Sequence, residues 1–263
     1  MKTRTVLAAI LAAGISSFAL SSLAYAEAIS ANALHPWEQA QAIVAATQAD
    51  LAMGGLLAIE SHVCELEQAL ADARAAYEAA QSGGDTVYIL ANGQPEVLAG
   101  LFTASASGRY AVAIENPYML ASLFLGSYYN EIGEPAEAVR VLEAGLALPR
   151  IDDKLGEAVP HIMSERGVAL NALNRSRDAL ANYDGALEIE SLAPDMKARL
   201  LRGRGFALIE LGRLDEAETA YRESLVSEPH NPHALRELHY IARLRAGAPS
   251  APSGIVSARP LTP

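Results

Sequence analysis

Apolar residues recur at helical spacing along most of this chain, and the places where that spacing breaks divide it. Leu56, Ile59, Val63, Leu66, Leu70, Ala73 and Tyr77 step 3-4-3-4-3-4, and polar or charged residues fill much of the rest of CELEQALADARAAYEAAQ. Such a stripe seats a long helix against an apolar partner. Three heptads are short for a coiled coil, so the expected partner is the chain's own solenoid; a homodimer through this N-terminal helix is the alternative. Gly54-Gly55 is expected to bend or divide the helix. The helical pattern stops at SGGD (82–85). TVYILANGQPEVLAG then gives a β-rich run with an Asn92-Gly93 turn, and Tyr110–Ile114 a second one. Asn-Gly favours a hairpin, Pro95 weakens the return strand, and a strand-helix-strand around Glu96–Ala104 fits as well.

The second half repeats. With Gly126, Gly167 and Gly205 as anchors, Tyr129, Leu170 and Leu208 follow three residues later. Gly133, Asn174 and Gly212 follow at seven, Ala138, Ala179 and Ala217 at twelve. Leu142, Tyr183 and Tyr221 stand at sixteen, and Gly145, Ala186 and Ser224 at nineteen. Offsets 0 and 3 share a helix face, and so do 12, 16 and 19. Gly or Asn at offset 7 can take a positive φ and end the first helix. Small residues at offsets 0, 12 and 19 let two antiparallel helices approach, with the large residue at offset 16 between them. Each copy therefore predicts a helical hairpin that needs its neighbours to bury its apolar face.

These segments resemble the tetratricopeptide repeat (TPR) family. SLFLGSYYNEIGEPAEAVRVLEAGLALP (122–149) and LLRGRGFALIELGRLDEAETAYRESLVSEP (200–229) carry its pattern well, and HIMSERGVALNALNRSRDALANYDGALEIE (161–190) keeps the spacing. The anchors lie 41 and 38 residues apart, against a family period of about 34. The extra residues fall near RIDDKLGEAV (150–159) and SLAPDMKA (191–198). Pro194 suits a first helical turn, whereas Pro160 implies a kink or a late start. After Pro229 one more helix is expected as a cap. The fold class is thus mainly α, a TPR-type α-solenoid with an N-terminal helical segment and a small β-containing insert. The expected division is 27–82 helical, 83–117 insert, 118–245 repeats and cap, and 246–263 a Pro/Ser-rich disordered tail.

The resemblance also implies a concave groove lined by the first helix of each hairpin, where family members bind extended peptides or partner helices. By register its positions are Leu120, Leu123, Ser127 and Asn130, then His161, Ser164, Val168 and Asn171, then Arg199, Arg202, Phe206 and Ile209. Asn130, His161, Ser164, Asn171, Arg199, Arg202 and Phe206 are the candidate partner-binding residues. Arg199 and Arg202 would suit an acidic side chain or a C-terminal carboxylate, unless they pair with Asp195 or Glu210 on their own helix. Some family members clamp a terminal carboxylate with Lys, Asn and Arg, and Leu123 and Ser127 depart from that set.

Charge and termini narrow the function classes. The 263-residue chain carries a formal charge of −11, so nucleic acid and anionic membranes are not expected partners. Lys2 and Arg4, an apolar run from Val6 to about Leu20, and Ala24-Tyr25-Ala26 read as a cleaved signal peptide over 1–26. With arginine more frequent than lysine, this predicts an exported bacterial protein of the periplasm, without a membrane span after cleavage. Cys64 is alone and is expected to be a buried thiol. His230, His233 and His239 are the nearest approach to a metal motif. In EPHNPHA His230 and His233 fall where one hairpin closes and the next helix opens, so no metal is assigned. Glu60, His62, Cys64 and Glu65 are no better, because His62 and Cys64 point to different helix faces. No GxSxG, HExxH or P-loop appears. The expectation is a non-enzymatic scaffold or adaptor with a protein or peptide partner and no cofactor. An envelope enzyme or accessory subunit, with its site in the N-terminal part, and a self-associating structural protein are the alternatives.

Overall fold

The computed structural model describes residues 35–249 except 83, 92, 150–157 and 191. The expected signal peptide, most of the expected tail, Asn92 of the expected Asn-Gly turn and most of the first junction lie outside the described residues. Helix α1 runs Pro36–Gly54, a 3-10 helix Leu56–His62, and α2 Val63–Gln81. Strand β1 (Thr86–Ala91), α3 (Gln94–Ala106) and β2 (Tyr110–Glu115) follow. Three hairpins come next: α4 (Pro117–Ile132) with α5 (Pro135–Leu146), α6 (Ala158–Ala172) with α7 (Ser176–Leu187), and α8 (Pro194–Glu210) with α9 (Leu214–Ser227). Helix α10 (Pro232–Arg245) closes the array. The protein is a mainly α solenoid of TPR type with a small two-stranded sheet.

The sequence repeat has a direct structural cause. A methyl group added at Gly126 would overlap Leu142, one at Gly167 would overlap Tyr183, and one at Gly205 would press on Tyr221. Each anchor glycine thus lets its backbone rest on the large side chain sixteen residues later. Tyr183 is 1% exposed and lies between Gly167 and Gly203 of the next hairpin. At offset 7, Gly133, Asn174 and Gly212 have φ of 81°, 58° and 72°. The next N–H donates five residues back in every copy: Glu134 to Tyr129 (2.8 Å), Arg175 to Leu170 and Arg213 to Leu208 (both 2.9 Å). These are Schellman caps, which satisfy carbonyls that the helix end would orphan. Pro160 lies three residues into the described part of α6, and what precedes Ala158 lies outside the described residues. Pro194 opens α8.

The N-terminal segment forms a further hairpin. Helix α1 packs on α2, and both pack on α4, as α4 and α5 in turn pack on α6. The pair stands where a preceding repeat would stand but lacks the glycine anchor. Its link is the 3-10 turn, entered through Gly55 at φ 70°. Ile59, Leu66, Leu70 and Ala73 of the heptad stripe are buried within the chain. The homodimer through this helix is therefore corrected: the stripe is used up internally, and its first two residues lie on a 3-10 helix. Cys64 is exposed rather than buried, because it falls on the outer face of the first turn of α2.

Between this hairpin and the first repeat sits the insert, which takes the strand-helix-strand form. Strands β1 and β2 are parallel, with Thr86 beside Tyr110 and Ala91 beside Glu115. Trp37 stacks on His35 and tilts against Tyr88 at 4.9 Å, which fixes β1 to the start of α1. Asn116 caps α4 by accepting from Tyr118 N–H (3.0 Å). Among the described residues no helix is long and apolar enough to cross a membrane.

Candidate functional site

The first helices α4, α6 and α8, with α10 beyond them, present one face. Its α4 stretch is closed, for Leu123 and Ser127 are 4% and 3% exposed. Its middle is a polar network. Asn130 Nδ2 donates to both the backbone oxygen and Oε2 of Glu165, at 3.0 Å each. Arg199 donates from Nε to Ser164 Oγ at 2.8 Å and from Nη2 to Glu165 Oε1. Glu165 is 6% exposed and Ser164 2%. One buried carboxylate thus joins three successive first helices. A buried charge persists only when paired and hydrogen-bonded, and this one is both.

Arg199 is accordingly corrected as a free contact for a partner. Its guanidinium is committed to Glu165 and Ser164 of the preceding hairpin, not to Asp195 or Glu210. Asn130 and Ser164 are committed to the same network. Asn171 is 7% exposed, and its Oδ1 has no hydrogen-bond partner among the described residues. Burial and the Arg199 charge hold the half-buried His161 imidazole below its usual range. Phe206 and Ile209 are half-buried on α8, and Val168 is exposed on α6.

The α8–α10 end differs. Arg202 forms an ion pair with Glu228 at 3.1 Å. Glu228 Oε2 also accepts from Asn231 Nδ2 at 2.6 Å. Asn231 caps α10 by accepting from the N–H groups of His233 (3.0 Å) and Ala234 (3.1 Å). The turn residues thus do the punctuation expected of them, but His233 does more. Its Nδ1 lies 2.7 Å from Arg236 Nη2, and burial, Arg236 and Arg202 together depress its pKa. An imidazole that accepts from a guanidinium is neutral. His233, Arg236, Tyr240 and Arg243 step 3-4-3 along α10, on one side of the helix. Sequence reasoning missed Glu165, His233 and Arg236. Arg202 and Arg236 are 34 residues apart, one family period, which was the signal available.

Among the described residues no group of three or more His, Cys, Asp or Glu side chains could hold a metal ion. His230 and His239 are exposed.

No family model matches this chain. No curated protein matches it either. Among solved structures it is similar to the first TPR domain of the human RPAP3 protein. Identity is 23%, the match covers 49% of this chain and 93% of that one, and the TM-score is 0.41. It is also similar to the first TPR of Spaghetti (RPAP3) bound to HSP90 peptide SRMEEVD. There identity is 24%, with the same coverage and a TM-score of 0.42.

Proposed function

We propose that this chain is a non-enzymatic interaction scaffold of the bacterial envelope, which holds a peptide or partner helix against the first-helix face. The observation that carries this reading is the contrast along that face. The middle is self-neutralised through Glu165, whereas at the α8–α10 end two arginines, Arg202 and Arg236, both act on the His233 imidazole. There Arg202 pairs with Glu228, and Arg236 lies against the neutral His233 at 2.7 Å with the Glu237 carboxylate also within its reach. In a chain of charge −11, such a spot is suited to an acidic side chain or a C-terminal carboxylate. Phe206, half-buried on α8, offers an apolar contact nearby. The envelope setting rests on the N-terminal apolar run and its Ala24-Tyr25-Ala26 end.

The test is selection from a peptide-display library on the immobilised protein, repeated with Arg236→Glu. Acidic peptides should be enriched on the unaltered chain and lost on the variant. Enrichment without acidic residues, or unchanged by Arg236→Glu, would overturn the assignment of this end of the face.

A further inference from the structure

Exposed apolar side chains gather on the strand-helix-strand unit. Leu98, Leu101 and Phe102 of α3 are 54%, 40% and 75% exposed, and Tyr110 and Val112 of β2 are 77% and 38%. From Val97 to Ile114 the single charged residue is Arg109, in a chain of charge −11. Arg109 donates to the carbonyls of Gly84 (2.9 Å) and Gln81 (3.1 Å). Two copies of an acidic protein can meet at such a surface without opposing their carboxylates.

The strand itself has an open edge. Tyr110 N–H donates to Asp85 and Asn116 N–H to Ala91, so even-numbered residues of β2 turn their backbone groups to β1. The odd-numbered ones turn theirs outward. Gln41 Nε2 covers one outward group, the Glu115 carbonyl, at 3.1 Å. Among the described residues, what stays open is the short stretch from Ala111 to Ala113. Helix α3 overhangs it: Leu101 and Ser105 enclose a groove of about 550 Å³ with Tyr110 and Ala111. Two strands alone are marginal in water, and parallel strands are ordinarily covered on both faces.

We propose that two copies of this chain join here, β2 against β2 and antiparallel, about a two-fold axis at Val112. Ala111 then faces Ala113 of the second copy, and their outward N–H and C=O groups exchange hydrogen bonds on both sides of the axis. Val112 meets its own counterpart, Tyr110 meets Ile114, and Arg109 stands across from Glu115 of opposite charge. A shift of one residue would turn the bonding groups of one strand away, so the edge dictates this register. Helix α3 lies over both strands. With strands about 4.8 Å apart, its axis is about 5 Å from the two-fold. The two α3 helices then lie about 10 Å apart, a normal packing distance. Leu98, Leu101 and Phe102 face one another across that gap. One symmetry operation thus pairs the open edge and covers both apolar sets, as a self-complementary interface must. Nothing in this proposal depends on what the first-helix face binds.

Sedimentation equilibrium of the purified full chain over a concentration series tests it. The expected result is the mass of two chains. Ala113→Pro, which removes an outward N–H and spares the pairing with β1, should return the mass to one chain. Val112→Lys, which sets like charges on the axis, should do the same. In a Cys64→Ser background, Val112→Cys should form an interchain disulfide on mild oxidation, because facing residues of this kind lie about 4.5 Å apart. Tyr110→Cys, which faces Ile114 rather than itself, should not. A one-chain mass at every concentration with no Val112→Cys bridge would overturn the proposal. So would a two-chain mass that both Ala113→Pro and Val112→Lys leave unchanged. A one-chain mass with slowly exchanging Ala111 and Ala113 amides would assign the edge to a segment of the same chain, again against the proposal.

Discussion

The hairpin α4–α5 and the hairpin α1–α2 occupy equivalent places in one stack, yet they are built from different materials. In α4–α5 a glycine meets a large side chain: Gly126 lies against Leu142, and Gly133 ends the helix in the left-handed region. In α1–α2 the close contacts are made by alanines, with Ala40, Ala69, Ala73, Ala76 and Ala80 buried around Trp37. Both solutions bring two helices together. The first depends on backbone contact that no other residue permits, and the second tolerates small changes. The glycine-anchored hairpins should therefore be brittle where the N-terminal region is forgiving.

The largest expected effect tests that brittleness. Gly167→Ala places a methyl group on the Tyr183 ring, which cannot retreat because Gly203 bears on it as well. Overpacking of this kind should cost about 3 kcal/mol and lower the denaturation midpoint of the whole array, since each repeat depends on its neighbours. Gly100→Ala makes the matching intrusion in the insert, where it meets the Ile89 side chain, Cδ1 at 2.6 Å. Ile89 Cγ1 and Cγ2 lie at 2.9 Å as well and cannot both turn away, but β1 belongs to a two-stranded sheet that can shift as a unit, so about 1 kcal/mol is expected. Hydrogen exchange should quicken only in β1, α3 and β2. Equal costs at the two glycines would end the distinction between brittle and forgiving regions.

The same distinction explains what was legible beforehand. A glycine recurring at fixed offset from an aromatic or leucine has one physical reason, so the three hairpins, their caps and the fold class could be read from the chain. An alanine at helical spacing fits any helix, so the N-terminal hairpin could not be read as a repeat equivalent. The insert carried β-rich runs, but its parallel pairing depends on α3 crossing between them, and the local sequence left that choice open. On the first-helix face, register identified which side chains line it but not their partners. Arg199 looked available because its counter-charge, Glu165, lies 34 residues back on a different helix. The Asp195 and Glu210 pairing looked local and was wrong for the same reason: stacked first helices bring residues one repeat apart closer than the sequence order implies.

The Glu165 hub gives the next effect in size and sharpens the contrast between the two ends of the face. Glu165→Ala strands Arg199, whose side chain is 20% exposed, and should cost about 3 kcal/mol in urea denaturation. Glu165→Met with Arg199→Met removes both charges and should recover most of that loss, because buried pairs often match apolar substitutes. At the other end Arg236→Ala, an exposed change, should move stability by less than about 0.5 kcal/mol. A double variant as unstable as Glu165→Ala alone would show that the network does more than satisfy its own charges.

Asn174 tests the caps on a smaller scale. It holds the left-handed position with a side chain, at φ 58°, where Gly133 and Gly212 serve the flanking hairpins. Asn174→Ala should cost about 1 kcal/mol, since alanine gains nothing locally from that backbone, and Asn174→Gly should cost nothing or stabilise slightly. Thermal midpoints of the two variants, read against the parent, settle the order. Alanine matching glycine there would remove the backbone reason for the repeat's seventh position.

The smallest effect is electrostatic and separates the two ends of the face by pH. Burial with Arg236 and Arg202 depresses the His233 pKa, and burial with Arg199 depresses that of His161. As pH falls through about 6.5, the unfolded chain takes up these protons before the folded one does. Stability should therefore decline from there down through the folded values, and His233→Gln should flatten its share of the slope. An acidic peptide bound beside Arg202 and Arg236 would partly cancel the charges that oppose His233 protonation. Its affinity should then rise over the window in which the free protein loses stability. At His161 the counter-charge is already supplied by Glu165, so the peptide should leave that titration in place. NMR titration of both imidazoles, with and without an acidic peptide, distinguishes them: an upward shift at His161 and none at His233 would place the peptide in the middle of the face rather than at its α8–α10 end.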